Sequence, residues 1–184
     1  MNEYIGYFNQ FYGELSRNKN FKYLKYLPLV ILMLIFVKSL FLYFMFTVFT
    51  AIIIYYTKLY HFPIDISPLF FLEVVITRYY GLPYTLLFIL IAYIVPKTFA
   101  GSNMKFDSYV FITISMFANF FVLLFPNMPL LTVGFLTSIA QYIGGVIFSL
   151  TMKPLFLAAA DGIANVMNNI LWFLVFSGLI VKIL

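Results

Sequence analysis

Cysteine is absent from this chain of 184 residues, and histidine occurs once, as His61. Without thiols there is no disulfide, no thiolate metal site and no cysteine nucleophile, and a single histidine excludes a multi-histidine metal centre. Charged residues are scarce as well: they make up 9% of the chain, whereas soluble domains carry roughly 25%. From these absences we expect neither a bound metal nor a cofactor.

The residues that are abundant are hydrophobic, at 64% of the chain, and aromatic, at 22%. This composition predicts an all-α, polytopic integral membrane protein with little room for a soluble domain. The net charge of +5 is better explained by membrane topology and contact with anionic lipid than by nucleic-acid binding. A cell-membrane, multi-pass location is therefore expected.

The first segment, residues 1–26, is basic and aromatic and lacks the apolar core of a cleavable signal peptide. Its cations are interspersed with tyrosine and phenylalanine, and they are Arg17, Lys19, Lys22 and Lys25. Aromatic rings favour headgroup depth and lysines favour anionic lipid. The pattern predicts an amphipathic interfacial helix on the cytoplasmic leaflet, with a cytoplasmic N-terminus.

Residues 27–184 are predicted to form a single transmembrane helical domain of about six segments. Two of these are short and are broken at Gly81–Pro83, because proline removes a backbone donor and glycine relaxes the backbone. The first apolar run, 27–57, is either one long tilted helix or two helices that split at Lys38–Ser39; we favour one helix. Six segments would place both termini on the same side of the membrane.

The last segment carries one acid and three asparagines within nine residues. Asp161, Asn165, Asn168 and Trp172 are spaced by four, three and four residues, so they share one helix face, and Asn169 lies at its edge. An ionised carboxylate at this depth costs about 2.5–3.5 kcal/mol. The face is expected to line a ligand pocket; interhelical hydrogen bonding and an interfacial position are the alternatives.

Other polar residues are candidates for the same interior. Gln141 is either a pocket donor or an interhelical partner, and Asn119 forms an i, i+4 pair with Ser115. Glu73 is either an ion or proton site or one half of a structural ion pair, with Lys38 as one candidate partner. If Glu73 and Asp161 shared a water-accessible path, the chain would conduct ions.

The loop 58–66 carries His61 and Asp65 on either side of a proline, and it could cap a pocket or be solvated. The chain has no Ser/His/Asp set, no paired-aspartate metal motif and no phosphate-binding glycine loop. We therefore expect no enzyme, and energy for any transport must come from a partner or a gradient.

The layout of residues 27–184 resembles the substrate-binding S-components of energy-coupling factor transporters. The resemblance lies in a long first helix, the short segment "SPLFF", the passage "YYGLPYTLLFILIAYIV" into the third helix and a polar last helix. It implies a membrane-embedded binding subunit for a vitamin-like small molecule or a metal ion, without its own ATPase and with partner subunits. The chain also looks like the MreD rod-shape proteins, which would imply a scaffold.

Overall fold

The structure is a computed structural model that describes residues 26–36, 38–62, 66–151 and 154–184. In these residues all regular structure is helical. The predicted interfacial helix lies outside the described residues except for Tyr26. Asp65 and the side chain of Asp161 lie outside them too.

The helices are numbered here in chain order. They are α1 (Leu27–Phe36), α2 (Lys38–Leu59), α3 (Leu69–Tyr80), α4 (Leu82–Ile89), α5 (Val95–Phe99), α6 (Phe106–Leu124), α7 (Leu130–Ser149) and α8 (Leu155–Ile183). A π-helical turn, Leu90–Ile94, joins α4 to α5. The predicted all-α fold is therefore confirmed for the described part of the chain.

The chain divides into two compact units, residues 1–42 and residues 43–184. In the first unit, the described structure is α1 and the start of α2. The second unit contains the rest of α2 and all later helices, and it holds the cavity described below.

Five helical stretches are long and apolar enough to cross a membrane, namely Lys38–Leu59, Leu82–Phe99, Phe106–Leu124, Leu130–Ser149 and Gly162–Ile183. The helix α3, with 12 residues, is shorter. The sequence led us to expect two short segments, at 67–80 and 84–95, but the second continues to Phe99. The chain thus has the helices of a multi-pass membrane-embedded protein.

Large apolar side chains cover the outside of these helices, and many small polar ones lie inside. Phe117 is 71% exposed and Val175 is 64% exposed, whereas Thr50, Thr85 and Asn119 are fully buried. A water-soluble fold would bury the former and expose the latter. Several buried threonines donate to the carbonyl four residues earlier in their own helix, as Thr47 Oγ1 and Thr137 Oγ1 do, which satisfies the hydroxyl inside the bundle.

The helices α3 and α4 form a tight hairpin around Gly81. The φ angle of Gly81 is +90°, which other residues adopt only with strain. The two arms are joined by a hydrogen bond of 2.8 Å between the hydroxyls of Thr77 and Thr85. Tyr43 of α2 donates to the Tyr84 carbonyl at 3.0 Å. The predicted break at Gly81–Pro83 is therefore a full reversal of the chain.

The π-helical turn explains why the second arm passes through Pro96 without stopping. Proline has no N–H and its ring clashes with the carbonyl four residues earlier. The Val95 N–H bonds to the Leu90 carbonyl, five residues back, so the helix is locally widened just before the proline. This wider turn accommodates Pro96 and lets the arm reach 18 residues.

The helices alternate in direction, which sets the two ends of the bundle. Arg78, at the end of α3, donates to the Pro126 carbonyl at 2.9 Å, so the Gly81 reversal and the turn at 125–129 lie at the same end. Residues 60–62, 66–68, 100–105, 150–151 and 154 then lie at the other end. We call this second end the loop end.

Glycines let α7 lie close to both of its neighbours, α6 and α8. A Cβ on Gly144 would come within 2.8 Å of Ile114 of α6, and a Cβ on Gly162 would come within 2.6 Å of Tyr142 of α7. Such short contacts are excluded for real side chains. Gly144 of α7 and Gly162 of α8 therefore allow the helices to pack closely.

Replacing Gly81 by alanine should destabilise the protein, because a Cβ is strained at a φ of +90°. We expect a loss of about 1–3 kcal/mol, measured by thermal unfolding in detergent micelles. Gly178→Ala is the matched control, since Gly178 is helical and a Cβ there meets nothing within 4 Å. It should be neutral or slightly stabilising. Equal effects of the two substitutions would contradict the strained reversal.

Candidate functional site: a polar cavity at the loop end

A partly open cavity of about 460 Å³ lies at the loop end of the bundle. Its wall combines residues from α2, α3, the end of the α4–α5 arm, α6, α7 and α8. Polar and charged residues from all of these elements line it: Lys58, Ser67, Glu73, Tyr93, Asp107, Ser108, Ser115, Gln141, Tyr142, Ser149, Asn165, Asn168 and Asn169. Cavities that hold small molecules commonly enclose about 300–1,000 Å³, so this one is of suitable size.

The deepest charged group on this wall is Glu73, in the second turn of α3. Its side chain is 3% exposed. The hydroxyl of Ser115 and the amide of Asn119, the latter at 2.9 Å, both donate to Oε2 of Glu73. Two neutral donors on α6 thus hold the carboxylate of α3.

The sequence identified each of these three residues as a candidate, but it did not predict the hydrogen bonds that join them. Ser115 and Asn119 were expected to share a face of α6, and they do. Glu73 was expected to find a cation such as Lys38 or to act at an ion site, whereas its hydrogen-bond partners among the described residues are a hydroxyl and an amide. Asn119 itself is fully buried behind Glu73 and does not line the cavity.

The polar face of α8 meets the cavity over part of its length. Asn165 lines the wall and is exposed. Asn169 is 6% exposed and donates to Oε1 of Gln141 on α7 at 3.2 Å, and both residues line the cavity. The structure therefore brings Asn165, Asn168, Asn169 and Gln141 together around one space.

Two side chains of the same face also hold the backbone that leads into α3. Asn168 Nδ2 donates to the Ser67 carbonyl at 3.1 Å, and Trp172 Nε1 donates to the Ile66 carbonyl at 3.3 Å. We call this pair of bonds the α8 clamp. It ties the last helix to a segment about one hundred residues earlier in the sequence.

Trp172 occupies a different place from the one expected. The sequence suggested that its ring would pack on a ligand, but Trp172 does not line the cavity. The ring stacks on Phe176 at a centroid distance of 5.0 Å and on Phe71 at 6.3 Å. An indole N–H needs an acceptor in an apolar bundle, and the carbonyl of Ile66 supplies it.

The expected capping residues differ in their positions. His61 is exposed, with a φ of +51°, just after the end of α2, and it does not line the cavity. Asp65 lies outside the described residues. Phe62 and Ser67, from the same connection, do line the wall.

A second polar cluster lies near the opening and was not predicted from the sequence. Lys97 Nζ lies 2.7 Å from Ser108 Oγ and 3.3 Å from the Tyr93 hydroxyl, and Lys97 is only 7% exposed. Tyr93 and Ser108 line the cavity. The four-residue spacing of Tyr93 and Lys97 was the available signal, but the loop-like "KTFAGSN" suggested that the helix had already ended.

Comparisons with known proteins found no relative of this chain. No family model matches it, and no curated protein or solved structure is significantly similar to it. The resemblance to S-components and to MreD proteins therefore stays a prediction.

The Glu73 contacts can be tested by a double substitution. Asn119→Leu should destabilise the protein by about 1–3 kcal/mol, because a buried carboxylate loses a donor. Adding Glu73→Leu should recover much of this loss, since replacing both partners by apolar groups leaves nothing unpaired. Thermal unfolding of the single and double variants in micelles measures the coupling.

The control for this cycle is Asn127→Leu, the same substitution at an exposed position in the turn between α6 and α7. It should change stability by no more than about 0.5 kcal/mol. Additive effects of the Asn119 and Glu73 substitutions would mean that the two side chains do not interact.

Proposed function

We propose that this protein is a membrane-embedded binding subunit that captures a small polar solute for transport, without an ATPase of its own. The observation that supports this proposal is the convergence of amide, hydroxyl, carboxylate and ammonium side chains from six helical elements on one partly open cavity. A scaffold that used the same polar residues to hold another protein's helix would direct them outward. Asn165, Asn168 and Asn169 instead line a space between the chain's own helices.

The polar groups of this wall suit selective binding of a small molecule. Gln141 and Asn169 use one oxygen and one nitrogen in bonding each other, and each retains further donor or acceptor capacity. In a low-dielectric bundle, an analogue that lacks one polar group leaves its buried partner unpaired, which costs about 1–3 kcal/mol. Such a site distinguishes solutes by their pattern of donors and acceptors.

The orientation of the cavity follows from the predicted topology. The basic segment 1–26 is expected on the cytoplasmic side. If the run 27–57 crosses the membrane once, Lys58 and the loop end lie on the outer side. The cavity would then open outward, as required of a subunit that takes up a solute from outside.

A bound molecule should be found on the single chain when the protein is purified gently from its own host and examined by native mass spectrometry. Asn165→Leu should reduce the occupied fraction about tenfold or more, because a polar group of the ligand would lose its partner. Asn127→Leu is the matched control and should retain the ligand. A bare chain that is recovered only with a stoichiometric protein partner would favour the scaffold.

The orientation has its own test, which the absence of cysteine makes simple. In intact cells, His61→Cys should react with a membrane-impermeant maleimide, because residue 61 lies at the loop end. Asn127→Cys, at the opposite end, should react only after the cells are permeabilised. The reverse pattern of labelling would place the cavity opening on the cytoplasmic side.

A further inference from the structure

The charged side chains at the cavity lie at different depths and have different hydrogen-bond partners. Asp107 lies in the first turn of α6, near the opening, whereas Glu73 is bonded two turns further along, at Ser115. Eight residues of helix separate Asp107 from Ser115, which is about 12 Å. Lys58 is at the last turn of α2, and the buried ammonium of Lys97 bonds Ser108 beside Asp107. Lys58 and Lys97 thus lie toward the opening, and the carboxylate of Glu73 lies deep.

One oxygen of the Glu73 carboxylate, Oε1, is available to a ligand in the cavity. Both described hydrogen bonds to it end on Oε2, and Glu73 is part of the cavity wall. A hydroxyl and an amide offset only part of the cost of a carboxylate at this depth. A cation in the cavity would offset more, because opposite charges attract strongly in a low-dielectric interior.

The neighbouring wall residues also suit a positive charge. Phe70 and Phe111 line the cavity, and the faces of aromatic rings attract cations. The amide oxygens of Asn169 and Gln141 are acceptors for ammonium N–H groups. A negative ligand would meet the carboxylate of Glu73 unscreened.

An organic cation fits this space better than a metal ion does. Among the described residues there is no group of three or more His, Cys, Asp or Glu side chains that could hold a metal. A volume of about 460 Å³ is also far larger than a single ion fills. We infer that the cavity binds a small organic cation whose charged nitrogen pairs with Glu73. This inference rests on the proposed function and specifies its substrate class.

Three benzamide probes that differ in one para substituent and in its charge can test this inference by calorimetry on the purified protein. They are 4-(aminomethyl)benzamide, which is protonated at pH 7, its neutral counterpart 4-(hydroxymethyl)benzamide, and anionic 4-carbamoylbenzoate. We expect the cation to bind about tenfold or more tightly than the neutral probe, and the anion to bind most weakly. Glu73→Gln, which keeps an acceptor for Ser115 and Asn119, should bring the cation and the neutral probe within about twofold.

Asp107→Asn is the matched comparison, because it also removes one negative charge from the wall but near the opening. It should reduce the preference for the cation less than Glu73→Gln does. If the two substitutions reduced the preference for the cation equally, the cavity would attract cations through its general negative potential. That result would contradict a specific pairing of the cation with Glu73. Equal binding of the three probes to the unaltered protein, or binding of none, would overturn the inference even if Glu73→Gln fails to fold.

The failure of this inference is distinguishable from failure of the proposed function. Suppose that a neutral or anionic molecule is recovered from the host-purified chain and is retained by Glu73→Gln. This result would contradict the inference of an organic cation but would still support the proposed binding subunit. A chain that carries no small molecule from its host and binds none of the probes would overturn both.

Discussion

The need to pair buried charged groups inside an apolar bundle shapes this structure, and the contact between Glu73 and α6 is its main instance. The helix α3 has 12 residues, about 18 Å at 1.5 Å per residue, whereas the hydrocarbon core is about 30 Å thick. From Phe70 to Thr77 every residue of α3 is buried. A short helix surrounded by protein can carry a carboxylate, because Ser115 and Asn119 supply donors that lipid cannot.

The position of α3 in turn creates the cavity. The helix begins at the loop end and contacts α4, α6, α7 and α8, so its first turns form a wall of the space and Glu73 lies deep within it. The α8 clamp fixes where α3 begins, through the carbonyls of Ile66 and Ser67. The Gly81 reversal fixes where it ends. The depth of the carboxylate is thus set by contacts at both ends of one short helix.

Composition and local pattern were sufficient to predict the class of fold and some of the residues that line the cavity. The apolar runs predicted membrane helices, the glycine and proline at 81 and 83 predicted the break, and helical spacing placed Asn165 and Asn168 on one face. Each of these predictions depends on residues within a few turns of one another. For such residues, backbone geometry alone fixes the relative positions of the side chains.

The contacts that the sequence did not predict join distant segments. Glu73 lies 42 and 46 residues from its donors, and an amide or hydroxyl gives no sign of which distant acceptor it will meet. The continuation through Pro96 was missed because a π turn has no simple sequence signal. The sequence did not predict that Trp172 lies off the cavity wall, because an aromatic ring near asparagines fits a ligand wall and a loop support equally well.

The face of α8 serves two purposes at once, and this follows from its geometry. Asn168 lines the cavity and also holds the Ser67 carbonyl, so its loss would alter the wall and release the start of α3 together. Asn165, three residues earlier, lines the wall and is exposed, so its loss would leave the α8 clamp in place. Asn165 therefore belongs to the wall alone, whereas Asn168 belongs to the wall and also supports the fold. Only a substitution of Asn165 tests binding without also changing stability.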